Sequence, residues 1–306
     1  MKRFATVLLC LLGIIFTAGQ LSAADVISLK ELSRSWTDYR SEAAGLNQLH
    51  YTLENILHIP GGADQSVTTA SDFDRRGTLS KFRTNKGNGT SSYTVANDRY
   101  VFTLTDRKGV GNARFEMKSV EFLTEKPISP DTLARVESST DVWQFANGLD
   151  SISCSVRVLE VACCKIDSIA NTPEGFVEVK FHMERNVMIE DVSEGLDQRA
   201  AKHVMQLCRY YPEGRYLLDP RRNHAIVEAE GRNSLAGTVD VTKFDDYRRV
   251  EDRCWYPFKV ARTLSKKDQK SVTTLETAQK ISFAIPDESE FYLPKYGIAE
   301  PDPIRK

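Results

Sequence analysis

The segment Val177-Glu178-Val179-Lys180-Phe181-His182-Met183-Glu184 alternates strictly between apolar and polar side chains. Successive side chains of a β-strand point to opposite faces, so this alternation places the apolar groups on one face and the polar groups on the other. One buried face and one hydrated face are typical of an antiparallel sheet. Residues 177–184 therefore predict a strand of such a sheet.

The same alternation recurs along much of the chain. Tyr100, Phe102 and Leu104 occupy alternate positions, and Phe115 and Met117 do the same after a turn at 107–111. This pattern predicts a β-hairpin with one apolar face. Further strands are predicted at 48–59, 152–164, 215–218, 225–230, 237–244 and 255–262. The apolar parity switches within 152–164, which predicts a bulge or a bend there.

Helical patterns are fewer. Ser28 followed by Glu31 is a capping box, the signature of a helix start. The apolar residues that then recur at helical spacing are Leu29, Leu32, Trp36 and Tyr39. They predict a helix that ends near Gly45, and two shorter helices are predicted at about 133–149 and 201–208. The fold class predicted is α+β and strand-dominated.

The first 24 residues have the pattern of a secretory signal peptide. Two basic residues precede an apolar run at 4–18, and small residues at 22–24 provide a cleavage site after Ala24. The run is short and interrupted by glycine, although an uncleaved membrane anchor stays open as the alternative. The chain is therefore predicted to be exported, to the periplasm or the cell exterior.

Residues 25–306 are predicted to form a single domain, because no internal repeat or low-complexity linker divides them. From Pro286 onward the chain is rich in proline, which predicts an extended tail at about 286–306 on the surface. The whole chain carries 41 basic and 42 acidic residues, and loss of Lys2 and Arg3 would leave 39 against 42, a formal charge of −3. Such a balance provides no long-range attraction for nucleic acid or an anionic membrane.

Five cysteines would remain after cleavage, since Cys10 lies in the signal segment. An odd number leaves at least one thiol unpaired. A disulfide between Cys163 and either Cys208 or Cys254 is one interpretation, and buried free thiols are the favoured one. Cys154 and Cys163 cannot pair if both lie on one extended segment.

The chain lacks the local motifs of catalysis and metal binding. No two histidines have a zinc-ligand spacing, and neither a Gly-x-Ser-x-Gly nucleophile elbow nor a glycine-rich dinucleotide loop is present. The acidic residues at 245–252 are interleaved with arginine and lack the spacing of a calcium loop. No catalytic residue, metal ligand or cofactor is therefore predicted.

Four segments carry a resemblance to a known family. They are Tyr216-Leu217-Leu218-Asp219-Pro220, Ala225-Ile226-Val227-Glu228, Val239-Asp240-Val241-Thr242-Lys243-Phe244 and Trp255-Tyr256-Pro257. This strand, Asp-Pro turn, strand and aromatic-proline order resembles exported members of the periplasmic lipoprotein-carrier (Lol-type) superfamily. The resemblance implies a strongly curved antiparallel sheet, a half-open barrel covered on one side by helices. In the carriers of this group the enclosed apolar cavity holds acyl chains.

The apolar strand residues and the aromatic pair of the last segment are the candidates for the wall of such a cavity. These candidates are Tyr51, Leu53, Phe102, Leu104, Phe115, Met117, Val179, Phe181, Trp255 and Tyr256. Methionine and phenylalanine suit an adaptable apolar wall, and ordinary core packing is the alternative for each residue.

Three functions follow in order of preference. The first is an exported carrier of a lipid, a lipidated protein or another hydrophobic ligand, with transient membrane contact. The second is an envelope sensor or interaction module that docks a polypeptide on the same sheet, and the third is an enzyme with an unrecognised site. No oligomeric state is predicted.

Overall fold

The computed structural model describes residues 27–85, 89–107, 115–123, 159, 161–184, 205, 208–267 and 269–300. Thirteen antiparallel strands form one curved sheet that does not close into a barrel, and one α-helix packs on it within the described part of the chain. The predicted strand-dominated α+β class and half-open architecture are thereby confirmed. The predictions at 1–24, 133–149 and 152–158, and most of 201–208, lie outside the described residues.

The helix is α1 (Leu29–Ala43). The first six strands are β1 (Gln48–Leu57), β2 (Gln65–Arg76), β3 (Leu79–Asn85), β4 (Thr90–Ala96), β5 (Tyr100–Arg107) and β6 (Phe115–Phe122). The remaining strands are β7 (Cys164–Asn171), β8 (Val177–Met183), β9 (Glu213–Asp219), β10 (Ala225–Asn233), β11 (Thr238–Val250), β12 (Cys254–Lys266) and β13 (Val272–Ser282).

The strand order is β6-β5-β4-β3-β2-β1-β13-β12-β11-β10-β9-β8-β7. Neighbours in this order are neighbours along the chain, except where β1 pairs with β13 at the centre. The strands β6 and β7 are the two edges. The sheet is thus two meanders that meet along the first and last strands.

The predicted capping box starts α1. The Ser28 backbone N–H and hydroxyl both donate to Glu31 Oε2, at 3.0 and 2.7 Å, and the Glu31 N–H donates back to Ser28 Oγ at 3.3 Å. The helix is held on the sheet by two side-chain donors as well as by its apolar stripe: Trp36 Nε1 donates to the carbonyl of His224 at 2.7 Å, and Tyr39 Oη donates to that of Trp255 at 2.5 Å.

The face of the sheet under α1 is followed from strand to strand by register. Leu49, Phe73 and Phe82 stand opposite one another on β1, β2 and β3, and directly opposed residues share a face. Leu49 and Phe73 are fully buried in one cluster with Tyr39 of α1. We name this side of the sheet the helix face.

The other side is covered by the C-terminal tail, and we name it the tail face. Lys81, Val95 and Phe102 stand opposite one another on β3, β4 and β5, one position out of phase with the helix-face row. Phe102 and Val95 pack in a cluster with Phe291 and Leu293 of the tail.

The tail is not extended as predicted. It forms two 3-10 turns, Glu288–Phe291 and Leu293–Tyr296, and Phe291 and Leu293 are completely buried. The physical reason is that the tail places large apolar side chains beside an uncovered aromatic patch, and burying them outweighs the extended preference of its prolines.

Two further predictions differ in detail. The strand predicted at 152–164 shares only Cys164 with β7, because residues 161–163 form a turn in which the Cys164 N–H donates to the Val161 carbonyl. The Asp-Pro step after β9 starts a 3-10 turn, Pro220–Arg222, whose cap is Asp219 Oδ1 accepting from the Arg221 N–H at 3.0 Å.

A partly buried chain of ion pairs fastens the tail to its face. Lys81 Nζ lies 3.0 Å from Asp74 Oδ2 and 3.0 Å from Glu290 Oε2, and Asp74 is also within reach of His50 and Gln48. Burial alone would raise the pKa of Asp74, but the contacts with His50 and Lys81 outweigh it and lower that pKa to about 2. The charged form of Asp74 is therefore favoured in the folded chain.

We expect the ion pairs of Asp74 to make the stability of the fold sensitive to acid. Because the folded pKa of Asp74 is depressed from 3.8 to about 2, its stabilisation is present above about pH 4 and is lost as the pH falls towards 2. Asp74→Asn should lower the free energy of unfolding at pH 7 by about 2 kcal/mol and flatten this pH dependence, as measured by urea unfolding. Asp38→Asn on the exposed side of α1 is the control. An Asp74→Asn midpoint equal to wild type at pH 7 would contradict the prediction.

Candidate ligand-binding face

The helix face carries a file of mostly apolar side chains along the central strands, interrupted by the exposed Asn55 between Leu53 and Leu57. Tyr51 and Leu53 follow Leu49 at alternate positions of β1, and Leu57 ends the file where the strand ends. Tyr51 is 7% exposed, Leu53 is half-buried, and the file therefore runs from a buried end near α1 to an accessible end at the β1–β2 turn.

An apolar row closes the accessible end of the file. Leu57 stands opposite Val272, and Val272 stands opposite Leu264, so the three side chains share the helix face across β1, β13 and β12. Val272 and Leu264 are 38% and 39% exposed, and Val67 on the neighbouring β2 is 66% exposed. We call Leu57, Val272, Leu264 and Val67 the rim.

The buried end of the file is not wholly apolar. Glu276 of β13 stands opposite both Leu53 and Val260 and is 3% exposed. Burial, reinforced by the Glu276 carboxylate, raises the pKa of the Tyr51 and Tyr256 hydroxyls. Both phenols therefore stay protonated at neutral pH and remain hydrogen-bond donors.

Val179 and Phe181 lie on the helix face at the β7 end of the sheet. Val179 is fully buried in the cluster that includes Leu32 and Trp36 of α1. The Phe181 ring lies 5.0 Å from the Tyr216 ring and covers Gly214, where a Cβ would approach Phe181 Cζ to 2.2 Å. The close approach requires a glycine at position 214. The sequence alone does not reveal this role, because it does not show that Gly214 stands opposite Phe181.

Four predicted wall residues lie on the tail face instead. Phe102 and Leu104 are fully buried there, and the Phe115 ring meets Tyr296 of the tail at 5.2 Å. Met117, opposite Leu104 on the edge strand, is 42% exposed. The structure therefore does not bring Phe102, Leu104, Phe115 and Met117 together with Tyr51 and Leu53.

Trp255 and Tyr256 are consecutive on β12, so their side chains point in different directions. Tyr256 is 1% exposed in the cluster with Tyr39 of α1. Trp255 is partly buried, with the Arg222 guanidinium 5.7 Å from its ring. Tyr256 thus joins the buried end of the file, and Trp255 packs beside the Pro220–Arg222 turn.

A cavity of about 350 Å³ lies elsewhere, on β7 to β10. Its lining residues are Asp167, Lys180, Phe181, Glu213, Gly214, Arg215, Glu230 and Arg232. The charges pair with one another or with neighbours: Arg215 contacts Glu178, Glu228 and Glu230, and Asp167 contacts His182. This lining suits water better than an apolar ligand.

His58 makes a hydrogen-bonded chain at the start of the β1–β2 turn. Its Nδ1 lies 2.9 Å from Asp64 Oδ2, and its Nε2 lies 2.9 Å from Thr273 Oγ1. The Thr273 hydroxyl is shared with Thr263 at 3.0 Å, and Asp64 is exposed. These hydrogen bonds hold the turn against β13.

Among the described residues, no group of three metal-ligating side chains gathers.

Within the described ranges, no helix is both long and apolar enough to cross a membrane. No protein-family model matches the chain, and no curated protein does either.

Several solved structures are similar to the chain over most of its length. A candidate outer membrane lipoprotein-sorting protein domain from Vibrio parahaemolyticus is 10% identical, with 88% of this chain and 99% of that chain covered and a TM-score of 0.43. A LolA superfamily protein from Nitrosomonas europaea is 6% identical, with 85% and 96% covered and a TM-score of 0.42. A DUF1329 family protein from Desulfovibrio piger is 7% identical, with 87% and 98% covered and a TM-score of 0.42.

The first two names belong to the group that the sequence resembles.

The packing of Phe181 over Gly214 is testable by a double-mutant cycle. Gly214→Ala should destabilise the fold by about 1–3 kcal/mol, because the added methyl group meets the ring. In the Phe181→Leu background the same change should cost much less, since the smaller side chain leaves room. Urea unfolding of the four proteins measures the coupling, and additive free energies would show that the two residues do not interact.

Proposed function

We propose that this chain is an exported binding or carrier protein that holds a hydrophobic ligand, a lipid or a lipidated protein, against the helix face of its sheet. The observation that carries the proposal is the apolar surface of the helix face, which lies at the rim and again from Leu53 to Tyr51 and Tyr256, on either side of the hydrogen-bonded pair Asn55 and Thr274. An unclosed, curved sheet with such a surface offers an acyl chain a largely apolar path from solvent into the fold.

The exposure of the rim is evidence that the ligand enters at this end of the path. Three apolar side chains in one cross-strand row, Leu57, Val272 and Leu264, remain partly in contact with water. Contiguous exposed apolar surface is unfavourable in a soluble protein unless a ligand or partner covers it. Leu53 and Ala278, both half-buried, lie further inward, beyond the polar pair Asn55 and Thr274.

The buried end supports recognition of a ligand that is not purely hydrocarbon. The neutral hydroxyls of Tyr51 and Tyr256 are hydrogen-bond donors beside the buried Glu276 carboxylate. An ester or amide group at the head of an acyl chain accepts such hydrogen bonds.

A second candidate is the docking of a polypeptide, and the edge strand β6 favours it. No described strand pairs with the outer side of β6, and Met117 on that strand is 42% exposed. A segment of another protein can add to such an edge through main-chain hydrogen bonds. We propose no catalytic step for either candidate.

The first prediction concerns bound lipid. The full chain, exported by a host through its own N-terminal segment and purified without detergent, should yield about one acylated molecule per chain on solvent extraction and mass spectrometry. Leu53→Asp and Leu264→Asp should reduce that yield several-fold, because a carboxylate in the file opposes an apolar ligand. Ile285→Asp is the matched control, since Ile285 is an apolar residue of 67% exposure outside the file.

A folded, lipid-free wild type would contradict the carrier proposal and leave the peptide-docking candidate first. N-terminal sequencing of the same preparation tests cleavage after Ala24: an intact N-terminus would contradict the predicted signal peptide.

We also propose that the turns beside the rim touch a membrane transiently. Lys266, Lys267 and Lys270 are exposed around the β12–β13 turn. Leu235, in the β10–β11 turn, is 80% exposed, and the two turns are joined by the Lys267 N–H donating to the Gly237 carbonyl at 2.8 Å. Exposed leucine beside lysines suits the head-group region of an anionic bilayer.

Vesicle co-sedimentation tests this contact. Binding to phosphatidylglycerol-containing vesicles should exceed binding to pure phosphatidylcholine vesicles and should fall with salt. Lys267→Glu and Leu235→Asp should each weaken binding about 3-fold to 10-fold, on the order of 1 kcal/mol per contact. Lys280→Glu, an exposed lysine near the opposite end of β13, should not. Equal loss in Lys280→Glu would place the contact elsewhere.

A further inference from the structure

Three cysteines gather at the β7 end of the sheet. Cys163 is in the turn before β7, Cys164 is the first residue of β7, and Cys208 is in the helical turn that precedes β9. The Sγ atoms of Cys163 and Cys208 are 3.9 Å apart, although 45 positions separate the residues. All three are free thiols in this structure.

We propose that Cys163 and Cys208 are a disulfide-forming site that is oxidised by a disulfide donor after export. A disulfide has a sulfur separation of about 2.05 Å, so the two sulfurs need to approach by a little under 2 Å. Rotation about χ1 of the two side chains provides a movement of this size. The disulfide would therefore form between two thiols that are already in contact.

The other described cysteine outside this group is excluded as a partner by its position. Cys254 is fully buried in the cluster of Tyr39 and Ala43, whereas Cys163 and Cys208 pack with the cluster of Phe181 and Met183. Cys164 is adjacent to Cys163 in sequence, and a bond between neighbours would require a strained peptide geometry. Of the two pairings open from the sequence, the structure favours Cys208.

The chemistry is thiol–disulfide exchange with a small or protein disulfide, RSSR. The Cys208 thiolate, which is partly exposed, attacks one sulfur of RSSR, forms a mixed disulfide and releases one RS⁻. The buried Cys163 thiolate then attacks the Cys208 sulfur of the mixed disulfide and releases the second RS⁻. The two protein thiols lose two protons and two electrons, and RSSR is reduced to two RSH.

The environment slows the attack of Cys208 on the disulfide donor at neutral pH. Burial and the neighbouring Cys163 raise the pKa of Cys208 to about 12, and burial with the same neighbour raises that of Cys164 to about 12. Thiolate is the attacking species, so the rate should increase with pH.

The bond would fasten the segment that carries Cys208 over the end of the helix face. Cys208 and Met205 pack against the cluster that contains Val179, Phe181 and Met183. Cross-linking these points removes conformational freedom from the unfolded chain. The oxidised form should therefore be the more stable one.

The test compares the exported chain treated with oxidised glutathione with the same chain treated with dithiothreitol. Non-reducing proteolysis and mass spectrometry should identify a Cys163–Cys208 cross-linked peptide. Oxidation should also raise the melting temperature by about 5–10 °C.

The variants assign the bond. Cys163→Ser and Cys208→Ser should each abolish the cross-link and the temperature shift, while Cys164→Ser and Cys254→Ser should retain both. Persistence of both thiols after prolonged oxidation at pH 8 would overturn the proposal, and so would a cross-link of either residue to Cys154, Cys164 or Cys254. The assay reads no bound lipid, so its outcome is independent of the carrier proposal.

Discussion

The pairing of β1 with β13 is the contact on which the rest of the structure depends. It extends over the whole of β1, from Gln48 opposite Ser282 to Leu57 opposite Val272, and joins residues more than 200 positions apart. Closing so long a loop costs more conformational entropy than forming a local hairpin. Without this pair the two meanders, β1 to β6 and β7 to β13, would be separate sheets. The apolar row at the rim exists only because the pair aligns Leu57 with Val272.

Both coverings of the sheet start from this central pair. The helix α1 directly precedes β1, and the tail directly follows β13, yet they turn to opposite faces. The tail closes its face with aromatic packing around Phe291 and Tyr296. The helix lies near one end of the strands, and the rim stands at the other end. This division leaves the helix face accessible at the rim.

An open sheet has edges that must be covered or tolerated. Toward β6, the ion pairs of Lys81 with Asp74 and Glu290 hold the tail against the sheet. Toward β7, the corresponding fastening is the cluster of Cys163 and Cys208 with the buried side chains of β8. Both sets of contacts lie away from the rim, and the ends of the central strands therefore remain accessible there.

By itself, the sequence determined eight of the thirteen described strands (β1, β5, β6 and β8 to β12), the antiparallel class and the start of α1. These depend on local chemistry. The apolar residues at 177–184 are buried and the polar residues between them are more exposed, as the two-residue period of a strand requires. Ser28 and Glu31 cap the helix. Alternation reveals which residues of a strand share a face, but not which face of the sheet that is. Only the tertiary register decided that Phe102 and Leu104 lie under the tail and Tyr51 and Leu53 on the helix face. The burial of Phe291, the rim and the choice of Cys208 as neighbour of Cys163 were likewise decided by long-range packing, because each joins segments that are distant along the chain.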